Sequence, residues 1–247
     1  VANEIDHQFW RDFRKAVLAK KPDLYILGEI WHTSQPWLQG DEFHAVMNYP
    51  LSESIKNYFL RQHKKTEQFI SEINSQSMYY KQQIAEVMFN LLDSHDTERI
   101  LTTAKGNVQH VKAALVFLYL QKGTPCIYYG TELALKGGPD PDCRRVMPWD
   151  RVSEDNDMLN FMKQLIKVRK EVASMIQHGS YSLQEVKPDV LALTWNNEGK
   201  EVQAIFNQSP ENFVLERDSV DFTSHCQLED GHQVILPAGF VVYLDSI

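Results

Sequence analysis

Apolar residues follow two spacings along the chain, and the change of spacing divides it. From residue 6 to about residue 178, short continuous apolar runs alternate with stretches in which apolar residues recur every three or four positions. The runs are typical of strands buried on both faces of a parallel sheet, and the stretches are typical of amphipathic helices. This part of the chain is therefore predicted to consist of βα units.

The apolar runs predict four strands, over residues 24–27, 43–49, 87–92 and 125–129. Helices are predicted over about residues 6–21, 51–62, 65–85, 107–121 and 156–175. The length of 247 residues is close to the roughly 250 of a complete (β/α)8 barrel. Four strands, however, make only half of such a barrel.

After Gly179 the spacing changes to two. Large apolar residues occupy alternate positions over 191–195 and 202–206, and residues 240–244 form a last apolar run. Alternation of this kind indicates strands of an antiparallel sheet. We therefore predict an α/β domain over residues 1–178, followed by an antiparallel β-sandwich domain over residues 179–247.

Composition excludes several classes of protein. The chain carries 25 Lys and Arg against 33 Asp and Glu, a net charge of −8, which disfavours a nucleic-acid partner. Its apolar runs, such as residues 113–120, are far shorter than the roughly 20 residues that cross a bilayer. The three cysteines are widely spaced, so neither a disulfide framework nor a cysteine zinc site is expected. A reducing, cytoplasmic location fits best.

Candidate chemistry lies at the ends of two predicted strands. Glu29 follows the first strand, and Asp93, His95 and Asp96 follow the third. Because the reactive groups of a parallel barrel lie at the carboxyl ends of its strands, we expect these side chains to face one rim. The loop after Glu29 adds flat rings that suit sugar faces, namely those of Trp31, His32 and Trp37. Paired carboxylates beside such rings favour glycoside hydrolysis.

Several segments closely resemble the α-amylase family of glycoside hydrolases. They are LGEIWH at 27–32, SHDTER at 94–99, GTPCIYYGTE at 123–132 and DPDCRRVMPWD at 140–150. The segments VANEIDHQFW at 1–10 and AVMNYP at 45–50 narrow the resemblance to the neopullulanase, cyclomaltodextrinase and maltogenic amylase group. The resemblance covers at least residues 1–150. It implies the second half of a (β/α)8 TIM barrel followed by the C-terminal β domain of that family.

The resemblance also implies roles for the rim residues. Glu29 is similar to the general acid/base of a retaining mechanism. Asp96 resembles the carboxylate that grips the sugar hydroxyls and distorts the ring, and His95 resembles the neighbour that bonds the same sugar. The alternative for each is a structural role: Glu29 as an acid that caps the next element, and His95 and Asp96 as part of a surface turn.

Further residues are expected to bind the substrate on either side of the cleaved bond. Asp140 and Arg144 are similar to the pair that clamps the glucose on the non-reducing side, while Asn3, Glu4 and Trp31 correspond to the acceptor side. The alternative for Arg144 is half of a solvated basic pair, and the alternative for Trp31 is an aromatic that only packs at the rim. Glu4 also suits a helix N-terminus through the helix dipole.

The pattern departs from the family at the nucleophile. In the family this residue is an Asp in an R-x-D strand, directly followed by a segment like residues 1–4, and the chain starts after that Asp. We therefore expect the C-terminal portion of a retaining hydrolase of α-1,4 bonds in pullulan, cyclodextrins or malto-oligosaccharides, inactive by itself. Thr131, where the family more often has Asp, and Glu98, where Pro is common, are milder departures.

Two other interpretations stay open: an α-glucosidase or transglycosylating relative, and a non-catalytic carbohydrate-binding or structural fragment. No cofactor is expected. Asp140 and Asp142 lack the Gly and terminal Glu of a calcium loop, so no metal is expected either. Half a barrel exposes two strand edges and an apolar interior, which predicts self-association through the open edge.

Overall fold

The N-terminal part of the protein alternates short parallel strands with helices. The structure, a computed structural model, describes residues 1–217 and 219–245, the last of these in its backbone only. In chain order the elements are α1 (His7–Lys20), β1 (Leu27–Gly28), β2 (Ala45–Val46), α2 (Tyr49–Ile55), α3 (Thr66–Ser77), α4 (Gln82–Ala85), β3 (Phe89–Asn90), α5 (Ile100–Thr103), α6 (Val108–Tyr119), β4 (Thr124–Pro125), α7 (Asp157–Glu171) and α8 (Ala173–His178). A π-helical turn, Lys56–Leu60, continues α2.

The four strands lie side by side in chain order. β1 pairs in parallel with β2, a single parallel bridge joins Met47 to Phe89 at the start of β3, and β3 pairs in parallel with β4. This is the neighbour order of consecutive barrel strands, so the predicted half barrel is confirmed. The paired stretches are shorter than the predicted strands. Flanking apolar residues such as Ile26 and Leu91 are buried, which produces the apolar pattern in the sequence, but they are not among the residues paired with the neighbouring strand.

Short polar side chains cap the starts of four helices, α1, α2, α6 and α7. The carboxylate of Asp6 accepts a hydrogen bond from the Gln8 amide at the start of α1. Asn48, Asn107 and Asn156 cap α2, α6 and α7 in the same way. Such caps satisfy backbone N–H groups that have no partner inside the helix. The helix predicted over 156–175 is divided into α7 and α8 at Val172.

The C-terminal part is an antiparallel β domain, as predicted. Its strands are β5 (Ser180–Lys187), β6 (Val190–Asn197), β7 (Lys200–Asn207), β8 (Phe213–Leu215), β9 (Phe222–Glu229) and β10 (His232–Asp245). They form one continuous sheet in the order β5-β6-β7-β10-β8, and β9 also pairs with β10. The two layers of the predicted sandwich are thus portions of a single sheet.

A bulge in β10 lets the sheet change direction. Before the bulge, Ile235 pairs with β8, and after it Phe240 pairs with β7, while β9 follows both halves. Gly239 lies in this bulge, where an added Cβ would come within 2.3 Å of the His225 carbonyl oxygen. Only glycine allows the two backbones to approach this closely.

One face of the sheet packs directly on the helices. The Phe206 ring of β7 lies 5.3 Å from that of Phe59 and 6.0 Å from that of Phe117 in α6. Trp195 is almost completely buried, and its indole N–H donates to the Leu120 carbonyl over 2.8 Å. Helices and sheet therefore share one apolar core, although the chain changes from helix to strand at Gly179. The proposed division into two domains at that residue stays a prediction.

None of the helices within residues 1–217 and 219–245 combines the length and apolarity needed to cross a membrane.

Truncation of Phe206 tests whether this shared core stabilises the whole chain. We expect Phe206→Ala to lower the free energy of unfolding by about 3–5 kcal/mol, because it leaves a cavity between helices and sheet. Urea denaturation measures the loss. Val214→Ala, at a position in β8 that is 55% exposed, is the matched control and should change stability little. A loss in Phe206→Ala no larger than in this control would contradict the shared core.

Candidate active site

Glu29 stands at the end of β1, where close packing sets its position. The preceding residue, Gly28, has no room for a side chain, since an added Cβ would lie 2.9 Å from the Phe43 ring. The Gly28 carbonyl accepts a hydrogen bond from the Met47 amide over 3.0 Å, which ties β1 to the end of β2. Glu29 is half-buried. Its carboxyl group is therefore presented at the carboxyl end of the strand, as the sequence predicted.

Tyr49 holds this carboxyl group. Its hydroxyl donates to Glu29 Oε1 over 3.2 Å and lies 3.2 Å from the hydroxyl of Ser94. Burial raises the pKa of the Tyr49 phenol; the Ser94 hydrogen bond opposes this rise, and the charge of Glu29 adds to it. The phenol therefore stays protonated and acts as a neutral donor. Sequence reasoning missed Tyr49, although its place at the end of the second predicted strand was a usable signal.

A second group of charges follows β3. Asp96 Oδ2 lies 3.1 Å from His95 Nε2, and Asp96 Oδ1 accepts from Arg144 Nη2 over 2.9 Å. Arg144 Nε lies 2.7 Å from Asp140 Oδ1 and donates to the His95 carbonyl over 2.9 Å. One guanidinium thus links the loop after β3 to the loop after β4. The predicted residues Asp96, His95, Asp140 and Arg144 form one connected cluster.

The two strand ends converge. One carboxylate oxygen of each acid and one ring nitrogen of the histidine lie within 4.8 Å of one another in the group Glu29, His95 and Asp96. These atoms are also the group in the described residues best placed to hold a divalent cation, but Arg144 already pairs with Asp96. A half-buried carboxyl group beside an anchored carboxylate provides a proton donor next to an acceptor for hydroxyl groups.

Trp31 supplies a flat surface beside Glu29. Its ring stacks on Tyr49 with a centroid separation of 3.9 Å and an interplanar angle of 4°. Tyr49 covers one face of the Trp31 ring, and the residue as a whole is 46% exposed. Trp37, expected to present a similar face, instead stacks on His7 of α1 at 5.1 Å. It packs there because its 3-10 turn folds back onto the first helix.

Asn3 and Glu4 lie beside the site without joining its charge cluster. They belong to a 3-10 turn, Ala2–Glu4, whose Ala2 amide donates to the backbone carbonyl of Glu29 over 3.3 Å. The Asn3 side chain donates to Glu4 Oε1 over 2.8 Å. The turn is therefore next to Glu29, and the two side chains bond each other.

Asp93 does not reach the rim, contrary to expectation. The Thr131 hydroxyl lies 3.0–3.1 Å from both oxygens of its carboxylate, and the Ile100 amide donates to it over 3.2 Å. Burial raises the pKa of Asp93 to about 6, an effect that these hydrogen bonds and the charges of Arg99 and Lys56 reduce. Asp93 is thus a buried residue below the site. Thr131, which departs from the family pattern, is the residue whose hydroxyl bonds its carboxylate.

Arg99 joins the loops beneath the charge cluster, and sequence reasoning also missed it. Its side chain is fully buried, with Nε donating to the Cys143 carbonyl over 2.8 Å and Nη1 donating to the Tyr129 carbonyl. The guanidinium lies over the Tyr128 ring at 4.0 Å from its centroid. The only sequence signal was its place inside the SHDTER segment.

Half of a parallel barrel with carboxylates at the carboxyl rim, followed by an antiparallel β domain, defines a class of enzyme architecture. Residues 3–165 match the family model described as the catalytic domain of alpha amylase. The chain belongs to the α-amylase family of glycoside hydrolases. The resemblance seen in its sequence is thereby confirmed.

Relatives and a solved structure agree with this assignment. The intracellular maltogenic amylase of Bacillus subtilis (strain 168) is 46% identical over 210 residues, which cover 84% of this chain and 36% of the relative. Neopullulanase 2 of Thermoactinomyces vulgaris is 40% identical over 224 residues, covering 86% and 38%. A solved cyclomaltodextrinase superimposes with a TM-score of 0.83 at 36% identity, covering 99% of this chain and 44% of that one. The chain thus spans less than half the length of these relatives.

The buried carboxyl group of Asp93 should make stability depend on pH. Its pKa of about 6 in the folded state exceeds the ordinary value of 3.8, so folding is favoured while the group is protonated. We expect the free energy of unfolding of the wild type, relative to Asp93→Asn, to fall by up to about 3 kcal/mol between pH 4 and pH 6.5. Urea denaturation across this range measures it.

The control for this measurement is Asp150→Asn, which alters an exposed carboxylate. Its stability should follow the wild-type pH profile. Parallel profiles for the wild type and Asp93→Asn would show that Asp93 ionises normally in the folded protein.

Proposed function

We propose that this chain forms part of an α-glucan hydrolase that cleaves α-1,4 bonds of pullulan, cyclodextrins or malto-oligosaccharides with retention of configuration. The observation that carries the proposal is the convergence of Glu29, after β1, with His95 and Asp96, after β3, at the carboxyl ends of two strands on either side of β2. The names of its relatives, a maltogenic amylase and a neopullulanase, support the same substrate class.

Glu29 is assigned the role of general acid/base. A retaining glycosidase uses one carboxylic acid to protonate the leaving oxygen and then to activate water. Tyr49 occupies Glu29 Oε1 with a hydrogen bond, which leaves Oε2 for the glycosidic oxygen. Because the phenol stays protonated, it holds Glu29 in place through both proton transfers.

Asp96 is assigned to the sugar hydroxyls. Arg144 and His95 hold its carboxylate from two sides, which orients it for hydrogen bonds from hydroxyl groups. Its negative charge also lies where positive charge develops on the sugar ring in the transition state. The pair of Asp140 and Arg144 would contact the glucose on the non-reducing side.

The acceptor side is assigned to Trp31, Asn3 and Glu4. The exposed face of Trp31, backed by Tyr49, suits stacking on a sugar ring. Asn3 and Glu4 lie in the turn next to the Glu29 backbone, within the neighbourhood of the leaving group.

The nucleophile is not assigned to any residue of this chain. Retaining enzymes place it about 5–5.5 Å from the acid. Asp96 lies near Glu29, but its oxygens are already paired with His95 and Arg144, which makes it a poor nucleophile. We therefore expect the 247-residue chain alone to release no reducing sugar from pullulan or β-cyclodextrin; measurable release would contradict this assignment.

A chimera tests the assigned activity. Residues 1–165 replace the matching segment of the Bacillus subtilis maltogenic amylase, which is 46% identical to this chain. We expect the chimera to cleave β-cyclodextrin and Glu29→Gln in it to lower kcat/KM by about 10²–10⁴-fold, because the proton donor is lost. A reducing-sugar assay measures both.

The matched control is Glu154→Gln in the same chimera, since Glu154 is an exposed glutamate outside the cluster. This variant should keep full activity. A folded but inactive chimera, or an active Glu29→Gln variant, would contradict the proposal.

We also propose that copies of this chain associate through the open edge at β1. A cavity of about 480 Å³ there is lined mainly by apolar residues of segments 1–5 and 24–28 and by two aromatic residues of α1, Trp10 and Phe13. Phe9, Phe13 and Tyr25 are 54%, 39% and 44% exposed. Clustered apolar surface beside a strand edge favours association.

Light scattering as a function of protein concentration tests this association. The wild type should show a mass above that of a monomer, and Phe13→Asp should shift the equilibrium toward monomer by placing a charge in the apolar surface. Val146→Asp, at a position that is 86% exposed and outside this edge, is the control. Monomeric wild type at all concentrations would exclude the proposal.

A cytoplasmic location is proposed as well. It is supported by the word intracellular in the name of the Bacillus subtilis relative and by three free cysteines. Fractionation of producing cells tests it, and recovery from the medium would exclude it.

A further inference from the structure

A second cavity, of about 450 Å³, lies between the helices and the β domain. Its walls come from residues 62–68, the first turn of α6, the turn between β5 and β6, the segment 208–210 and the bulge of β10. It contains none of the residues of the carboxylate cluster. Its volume lies within the range of small-molecule sites, about 300–1,000 Å³.

Polar side chains in this wall lack partners. Gln62 Nε2 lies 3.3 Å from His110 Nε2. The His110 ring also faces Gln208, but His110 Nδ1 and both polar atoms of the Gln208 amide have no partner of normal geometry among the described residues. These three atoms are buried, and a rotation of the Gln208 side-chain amide would bring its two polar atoms to the cavity. Because buried polar groups without partners cost free energy, a ligand that bonds the rotated amide would be favoured.

Charges around the cavity are already neutralised. Lys65 pairs with Asp189 at 3.4 Å, and Lys64 pairs with Glu72. The Asn107 side chain caps the first N–H groups of α6. Both lysines and two of the first-turn amides of α6 are therefore already engaged, which disfavours an anion at this site.

The remaining groups suit hydroxyls. Burial lowers the pKa of His110, so near pH 7 its ring is neutral, with one nitrogen as a donor and the other as an acceptor. The amides of Gln62 and Gln208 add donors and acceptors. A sugar hydroxyl both donates and accepts, which matches these groups.

Hydrogen bonds hold the backbone around Gln208 in place, while its side-chain amide has no partner of normal geometry in the described part of the chain. Asn207 Nδ2 donates to the carbonyls of Glu211 and Ile235 over 2.7 and 2.8 Å. The backbone N–H of Gln208 donates to the Asp189 carbonyl over 2.8 Å. The proline rings at 210 and 237 add apolar surface. A preformed cavity with a few polar groups and apolar faces is typical of a small-ligand site.

We propose that this cavity is a second, non-catalytic binding site for a neutral sugar of about the size of maltose. The class of ligand follows from the neutral side chains of Gln62, His110 and Gln208, which match hydroxyl groups. Only the choice of maltose as the probe rests on the proposed function. A site separate from the carboxylate cluster would hold a long glucan by a second contact and raise its effective concentration.

Imidazole NMR signals of the 247-residue chain test the proposal. His110 reports on the cavity and His95 on the carboxylate cluster, and each is assigned from its His→Gln substitution. Titration with maltose should shift the His110 signals saturably, in the wild type and also in Asp96→Asn. Inorganic phosphate should leave them unchanged.

Two variants and a control locate the binding. Gln208→Leu removes the unpartnered amide, and Gln62→Gly removes the second amide at a position whose φ of 55° glycine adopts freely. Each should weaken maltose binding, followed at His110, by about fivefold or more. Gln184→Leu, at an exposed position on β5, should bind as the wild type does.

The outcomes separate this site from the catalytic proposal. Unresponsive His110 signals, equal weakening in Gln184→Leu, or a response to phosphate instead of maltose would each overturn the second site. A response of His95 alone would support sugar binding at the carboxylate cluster while excluding the second site. A response of His110 alone would support the second site without the first.

Discussion

The loops that follow β3 and β4 are joined by the fully buried guanidinium of Arg99, which bonds the carbonyls of Tyr129 and Cys143 and lies over the Tyr128 ring. A buried cation is costly unless hydrogen bonds and nearby negative charge compensate it, so these contacts must stay formed. The charge of Arg99 also lowers the pKa of the nearby Asp93 carboxyl group and so opposes part of the effect of its burial. The loops are therefore held together below the rim, and Arg144 can bridge them above it.

The candidate site is built from two halves with different supports. Glu29 depends on the close contact of Gly28 with Phe43 and on the hydroxyl of Tyr49. The position of Asp96 depends on its ion pair with Arg144, and hence on Arg99, which holds the two loops together below it. A proton donor held by a neutral phenol and a carboxylate held by a cation can therefore stand side by side with different roles.

Much of the fold was predictable because its signals are local. The apolar runs and the change of spacing at Gly179 predicted half a barrel and a β domain, and single caps such as Asn107 set the helix starts. The residues at which strand pairing begins and ends were not predictable. Whether Ile26 or Leu27 belongs to the ladder depends on the neighbouring strand and not on hydrophobicity.

The sequence by itself determined the family, the order of the elements and the residues Glu29, His95, Asp96 and Arg144 as candidates, because these depend on residue type and spacing along the chain. Tertiary structure alone decided that Asp93 is buried, that Trp37 packs on His7, and that Tyr49 and Arg99 support the site. It also decided that the β domain shares its core with the helices. These features depend on contacts between residues far apart in the chain, which no local pattern specifies.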